Sequence, residues 1–371
     1  MRKNTTHDPA LDLIRCVALS CVICVHFFMN TDFYTKPVTG FYMLIMTIMR
    51  NSFMICVPLF MMLTGYLIHT KDCTKAYYIK IIRICYIYIL SSMACAIYRI
   101  YFLKDGLSVL GALACMFSFS TAPYSWYIEM YIGLFLLIPF LNTMYEGIPG
   151  GKKHLLIITL LLLTALPSML NIYCLAGLNW WLMPSSASNY FSIVPDWWTN
   201  LYPITYFFLG RFLRDFPIRL STKRLALLNL LVFLFAGVFN YYRSYGATFV
   251  QGPWQSYGSF LITLQAVLIF CLFMSMKYTS LPSGLRNFLH IVSDLSLGAY
   301  LTSWVFDQIV YSKLNDYSLT TQQQLMLFPV IVSIVFIGSV LCSSMINLSY
   351  SRSVHKIEQS IRGSKNHTRC P

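Results

Sequence analysis

Charge is what this sequence has least of. Only 11% of its 371 residues are Asp, Glu, Lys or Arg, and just 13 are acidic. A soluble domain carries roughly 25% charged residues, so there are too few here to cover a soluble surface. That excludes an ordinary cytosolic enzyme, a secreted disulfide scaffold and a disordered chain. No G-x-x-x-x-G-K-[ST] loop occurs, so ATP-driven chemistry lacks its usual phosphate cradle. No cysteine set has zinc-site spacing. Cys21-x-x-Cys24 lies inside an apolar run with no second pair or His cluster, and most of the 12 cysteines read as small packing hydrophobes. No metal site is expected. No A-x-A-like cleavage site follows the first apolar run, which starts near Leu11 and contains Arg15, so that run reads as a retained helix. No repeat of fixed period is visible.

What is present is apolar length. The chain is 57% hydrophobic, and its apolar runs are long enough for transmembrane helices. Ten spans are expected, near 11–30, 52–69, 79–102, 126–145, 154–173, 197–214, 224–241, 258–276, 287–311 and 324–348. Phe41–Met49 could extend the second span, and Leu107–Phe119 could be re-entrant or a short span. With the N-terminus inside and the spans alternating, 20 of the 27 Lys and Arg fall on the cytoplasmic side. Six fall outside, among them Arg50 and Arg243, and Arg15 lies within a span. The excess of +14 therefore orients the chain in a membrane and does not point to nucleic acid. The expected fold class is an all-α polytopic transmembrane bundle of about ten spans with both termini cytoplasmic. Residues 1–350 form the membrane domain, and 351–371 a basic, poorly ordered cytoplasmic tail.

Ionisable side chains inside such spans are expensive and mark candidate sites. Arg15 and His26 are eleven residues apart on the first helix. At about 100° and 1.5 Å per residue they share a face to within about 20° and stand about 16 Å apart along the axis. The pair suits a site, and equally an Arg15 that snorkels to lipid head groups with a His26 hydrogen-bonded in the bundle. Glu129 and Asp307 fall at the outer ends of the fourth and ninth spans. A carboxylate beside a histidine suits general-base work, and an interhelical structural pair fits the same pattern. Asp294, nearer the cytoplasmic end of the ninth span, reads as a local cap or the partner of an Arg. Lys80 and Arg83, one turn apart on the cytoplasmic side, could join Arg15 at a phosphorylated ligand or serve as positive-inside anchors. The outer loop before the sixth span carries Trp180, Trp181, Tyr190, Trp197 and Trp198. These could stack on sugar rings or form a membrane-interface belt.

Six blocks in order resemble the membrane acyltransferase-3 family. LDLIRCVALSCVICVHF resembles its first helix, with Arg, ten residues, then His. VPLFMMLTGYLI resembles the F-x-x-x-S-G-[YF] ending of its second helix, with Thr64 for the Ser. YIKIIRICYIYIL resembles its basic K/R-x-x-R segment, and WYIEMYIGLFLLIPFLN its central block of Trp, acid and Pro. YPITYFFLGRFLRD resembles its aromatic-Gly segment, and SLGAYLTSWVFDQIV its S-x-G-x-Y-L-x-H block. In the last of these Ser303 stands where the family has His, so no role of that His carries over. Lacking a soluble SGNH-type hydrolase domain, the chain resembles the stand-alone type.

The resemblance implies transfer of an acetyl or similar acyl group from cytosolic acyl-CoA to a hydroxyl of an extracytoplasmic or lipid-linked glycan, in a bacterial plasma membrane. Acetyl-CoA then enters as a substrate, and no tightly bound cofactor is expected. On this reading Arg15, Lys80 and Arg83 bind CoA, and His26 is the general base. Glu129 orients His26 or the acceptor, while Asp307, Trp126, Trp180 and Trp181 meet the acceptor. The partners are acyl-CoA, the glycan and membrane lipids. A transporter or flippase of a glycan or small polar solute is the main rival, and a sensory membrane module a lesser one.

Overall fold

A computed structural model describes residues 8–69, 73–173 and 191–353. Trp180, Trp181, Tyr190 and the basic tail beyond Ser353 lie outside the described residues. Fourteen α-helices are described: α1 (Pro9–Asn30), α2 (Gly40–Phe53), α3 (Cys56–Leu67), α4 (Lys75–Tyr78), α5 (Ile81–Tyr98), α6 (Val109–Phe117) and α7 (Trp126–Gly147). There follow α8 (Gly150–Thr164), α9 (Pro167–Leu170), α10 (Tyr202–Asp215), α11 (Thr222–Ser244), α12 (Phe260–Ser275), α13 (Ser283–Leu314) and α14 (Thr321–Ser353). The only β pairing among the described residues is two isolated bridges, Pro37 with Thr248 and Val38 with Tyr245.

Short polar side chains start several of these helices by satisfying backbone N–H groups that lack an intrahelical partner. Asp8 accepts from the Ala10 amide at 2.9 Å, with Pro9 at the first helical position of α1. Ser108 does the same for α6 and Ser221 for α11.

Seven helical stretches are long and apolar enough to cross a membrane. They are Pro9–Asn30, Gly40–Leu67, Lys75–Leu103, Trp126–Gly147, Thr222–Ser244, Pro253–Ser275 and Thr321–Arg352. The other three expected spans are helical but differ in kind. α8 ends at Thr164 and the chain turns before α9, and α10 is only 14 residues, about 21 Å at 1.5 Å per residue. α13 is long, with 32 residues, but carries Arg286, His290, Asp294, Asp307 and Lys313. Phe41–Met49 extends the second span through α2. Leu107–Phe119 forms only the nine-residue α6, about 14 Å long and too short to cross.

The outward faces suit lipid. On α14, Val330, Ile334, Ile337, Leu341, Met345 and Leu348 are all exposed at three- and four-residue intervals. A continuous apolar stripe of that length is an unfavourable surface in water and an ordinary one in a bilayer.

The chain divides into two compact units. The first comprises Met1–His69, Tyr145–Ser293 and Leu314–Val332, the second Thr70–Met144, Asp294–Lys313 and Ser333–Pro371. In the first unit α3 and α10 cross with their backbones in contact. A Cβ on Gly65 would overlap the carbonyl oxygen of Phe207, and one on Gly210 that of Met62. Beside this crossing Thr164 and Thr205 share a buried hydroxyl hydrogen bond of 3.0 Å, and Arg214 donates to the Tyr66 carbonyl at 2.7 Å. In the second unit the Tyr77 hydroxyl donates to the Phe135 carbonyl at 2.7 Å, and the two rings stack at 4.5 Å. Ser343 donates to the Leu295 carbonyl at 2.7 Å, tying α14 to α13.

Gly65→Ala and Gly210→Ala are expected to destabilise the detergent-solubilised protein by about 1–3 kcal/mol, the usual cost of an overpacked contact, and so to lower its thermal unfolding midpoint. Gly133, inside α7, has nothing within 4 Å of its missing Cβ. Gly133→Ala is therefore expected to leave the midpoint unchanged or raise it. An unperturbed midpoint in both crossing variants would show that the close approach is unimportant.

Candidate active site

α1 carries the first two candidate residues in the first unit. The helix is unbroken from Pro9 to Asn30, so the shared face and the axial separation of about 16 Å between Arg15 and His26 hold. The two ends of that face differ in environment. From Cys21 to Phe28 every α1 residue is buried, His26 included. The next turn is closed by Asn30, whose side-chain amide donates to the His26 carbonyl at 2.8 Å.

Arg15 is only half-buried. It donates to the Ser293 hydroxyl at 2.8 Å. The nearby carboxylate of Asp12 lies 3.7 Å from His290 instead, and Cys16 donates to the Leu289 carbonyl. The N-terminal half of α1 is therefore stitched to the start of α13, while no described carboxylate neutralises Arg15. Two other cations of this unit, by contrast, are ion-paired. Arg211 is paired with Glu146, and Lys153 with Asp215 at 3.3 Å. Arg211 and Lys153 also lie against the Tyr145 ring.

Two cations that charge alternation sets outside are buried within helices. Arg50 ends α2, inside the Gly40–Leu67 span, because Phe41–Met49 continues that span. Its Nε donates to the Tyr34 hydroxyl at 3.0 Å, and its guanidinium sits 5.0 Å from the Phe249 ring centre. Arg243, in the last turn of α11, is fully buried 4.5 Å above Trp254. The Trp254 indole in turn donates to Asn240, which donates to Asn51. Aromatic faces compensate part of the cost of burying these charges.

The second unit holds the remaining described candidates. Lys80 and Arg83 stand at the start of α5, against the Tyr77 and Tyr350 rings respectively, and no described carboxylate pairs with either. Glu129, in the first turn of α7, is exposed, and its carboxylate bonds to no described residue. Trp126, one turn earlier, is 39% exposed. Asp307 is fully buried and accepts a hydrogen bond from the Tyr124 hydroxyl at 2.9 Å. The Tyr124 carbonyl accepts from the Tyr300 hydroxyl. Asp307 thus belongs to a tyrosine-linked network that sequence reasoning missed, although Tyr300 is the Tyr of the S-x-G-x-Y-L block. Ser303, at the family's His position, is fully buried and donates to the Tyr300 carbonyl at 2.8 Å within its own helix.

The structure thus gathers Arg15 and His26 in one unit, and Lys80, Arg83, Trp126, Glu129 and Asp307 in the other. Chemically, α1 offers an unneutralised guanidinium suited to phosphate and an imidazole in dry surroundings. Among the described residues no group of three His, Cys, Asp or Glu is placed to hold a metal ion.

Comparison with known proteins gives one match. The family model described as an acyltransferase domain, that of acyltransferase-3, matches residues 8–347. No curated protein and no solved structure matches. With its helices, its α1 cation and imidazole, and a family match running almost end to end, the chain belongs to the acyltransferase-3 family and is a membrane acyltransferase.

Proposed function

We propose that the chain transfers an acetyl or similar acyl group from cytosolic acyl-CoA to a hydroxyl of an extracytoplasmic or lipid-linked glycan. It would do so from a plasma membrane, with ten spans and both termini cytoplasmic. The observation that carries this reading is the polarity of α1. A guanidinium without a described carboxylate partner stands in the N-terminal half of one helix face, cytoplasmic in the proposed topology, and a buried imidazole stands about 16 Å further along it. That separation is comparable to the length of a pantetheine arm, so a CoA phosphate held at Arg15 would bring the thioester toward His26.

In this mechanism the His26 imidazole takes the proton of the acceptor hydroxyl as its oxygen attacks the thioester carbonyl. The C–O bond forms, the C–S bond breaks, and the departing CoA sulfur receives the proton from the imidazolium. Burial of His26 keeps water from competing for the acyl group. Lys80 and Arg83 supply further positive charge for CoA. Glu129, exposed at the start of α7, orients the acceptor, with Trp126 and Asp307 at the same end of the bundle in the proposed topology.

The test uses purified chain in lipid vesicles, with acetyl-labelled acetyl-CoA facing the basic loops and a glycolipid extract as acceptor. His26→Ala is expected to lower the transfer rate about 10²–10⁴-fold, the usual worth of a general base, while acetyl-CoA binding survives. Transfer at the wild-type rate by His26→Ala would refute the mechanism. Arg15→Ala is expected to weaken acetyl-CoA binding about 10- to 100-fold, from about 1.5–3 kcal/mol for a charge-assisted hydrogen bond, with partial recovery in Arg15→Lys. If Arg15→Ala binds acetyl-CoA as the wild type does, the donor site lies elsewhere. Glycan that moves across the bilayer without gaining label would identify a transporter instead.

A further inference from the structure

The first unit contains a polar cavity that the α1 chemistry does not use. It has a volume of about 350 Å³ and lies between the end of α8, α9, the 192–199 loop and the 253–256 turn. We propose that it is a subsite for a neutral sugar ring of the acceptor glycan. The inference deepens the proposed function and rests on it for its biological purpose, whereas the binding itself can be tested separately.

Two sets of groups make the cavity. The first is a fixed wall. Ser168 donates to the Ala165 carbonyl at 2.7 Å and accepts from the Phe260 amide at 2.8 Å. Thr164 donates to the Leu160 carbonyl at 2.7 Å and is paired with Thr205. Asn171 clamps the loop from both sides, donating to the Val194 carbonyl at 2.8 Å and accepting from the Val194 amide at 3.0 Å. All three wall residues are buried. Their own hydrogen bonds are spent on holding the cavity's shape, which is the preorganisation that lowers the entropic cost of binding.

The second set faces them from the clamped loop. Ser192, Asp196 and Thr199 line the cavity, the first two exposed and Thr199 half-buried, and none has a side-chain hydrogen bond or ion pair among the described residues. Their capacity is therefore open to a ligand. Two hydroxyls and a carboxylate match the vicinal hydroxyls of a sugar, and a carboxylate acceptor makes the stronger, charge-assisted kind of hydrogen bond.

The described lining also discriminates. Among the described residues it contains no cation, so a phosphate or uronate would meet Asp196 without compensation. Among the described residues it contains no aromatic ring to cage a quaternary ammonium. The volume falls at the small end of ligand pockets, near the size of a single ring. Trp197 and Trp198, 86% and 49% exposed, sit beside Asp196 in the chain and offer apolar faces for the next ring of an oligosaccharide. In the proposed topology this end of α8 faces outward, the side from which a glycan arrives.

The experiment is saturation-transfer difference NMR on the full chain in detergent. The probes are methyl glucoside, methyl galactoside and N-acetylglucosamine, with glucuronate and choline as charged controls. At least one neutral sugar is expected to show saturable transfer at millimolar concentration. That signal should fall at least 5-fold in Asp196→Ala/Thr199→Val and at least 2-fold in Trp198→Ala, and persist in His26→Ala. Unfolding midpoints equal to wild type would show that the loop variants are folded, and Ser192→Ala gives a third, milder probe of the same loop. Absence of transfer to every neutral sugar, equal signals in wild type and loop variants, or preferential binding of choline or glucuronate would each overturn the proposal. Sugar binding that depends on Asp196 in a chain that releases no CoA would sustain the subsite and refute the acyltransfer mechanism. CoA release with no sugar binding would do the reverse.

Discussion

The backbone contact between α3 and α10 at Gly65 and Gly210 is the constraint on which the first unit is built. Helices in lipid gain little from burying apolar surface against one another, because the tails are as apolar as Leu. Close approach of backbones through small residues supplies the packing instead. Each glycine here removes a side chain at the point where the other helix presents a carbonyl. Both lie in blocks that resemble the family's motifs, so these motif positions record a packing requirement and not a reacting group. The polar ties around the crossing then have fixed partners: Thr164 with Thr205, Arg214 with the Tyr66 carbonyl, and Arg211 with Glu146.

That arrangement sorts the cations. With 27 basic and 13 acidic side chains, most cations cannot have a carboxylate, and which ones do is informative. Lys153 and Arg211 are spent on ion pairs and an aromatic ring, and Arg50 and Arg243 on aromatic faces. Arg15, Lys80 and Arg83 have no described carboxylate partner. A guanidinium held by a serine hydroxyl retains the charge needed for a phosphate, which separates Arg15 from the ion-paired Arg211 and Lys153.

The polar cavity beyond α8 follows from the same economy. α8 is too short to carry the chain across a membrane by itself, and it ends in a turn whose hydroxyls and carboxamide are used to hold a loop. A polar, preorganised surface results where an unbroken apolar helix would have left none. The loop groups opposite retain their hydrogen-bonding capacity because the wall has already satisfied its own.

The sequence by itself determined the membrane class, the helical content and seven long spans, because apolar length and scarcity of charge are local properties of the chain. It also determined the spacing of Arg15 and His26, which follows from helical geometry alone. The limits of the three weaker spans were less legible, since Pro167 and the charges of α13 compete with an apolar pattern that continues around them. The burial of Arg50 was illegible for a related reason: local charge argues for the surface, and only Tyr34 and Phe249, brought in from elsewhere in the chain, make its burial tolerable. Tertiary structure alone decided which glycines touch a neighbouring backbone, which cations have partners, that Asp307 is linked through Tyr124 to Tyr300, and that Ser192, Asp196 and Thr199 face a cavity. Each depends on contacts between residues far apart in sequence, and hydrophobic periodicity does not encode such contacts.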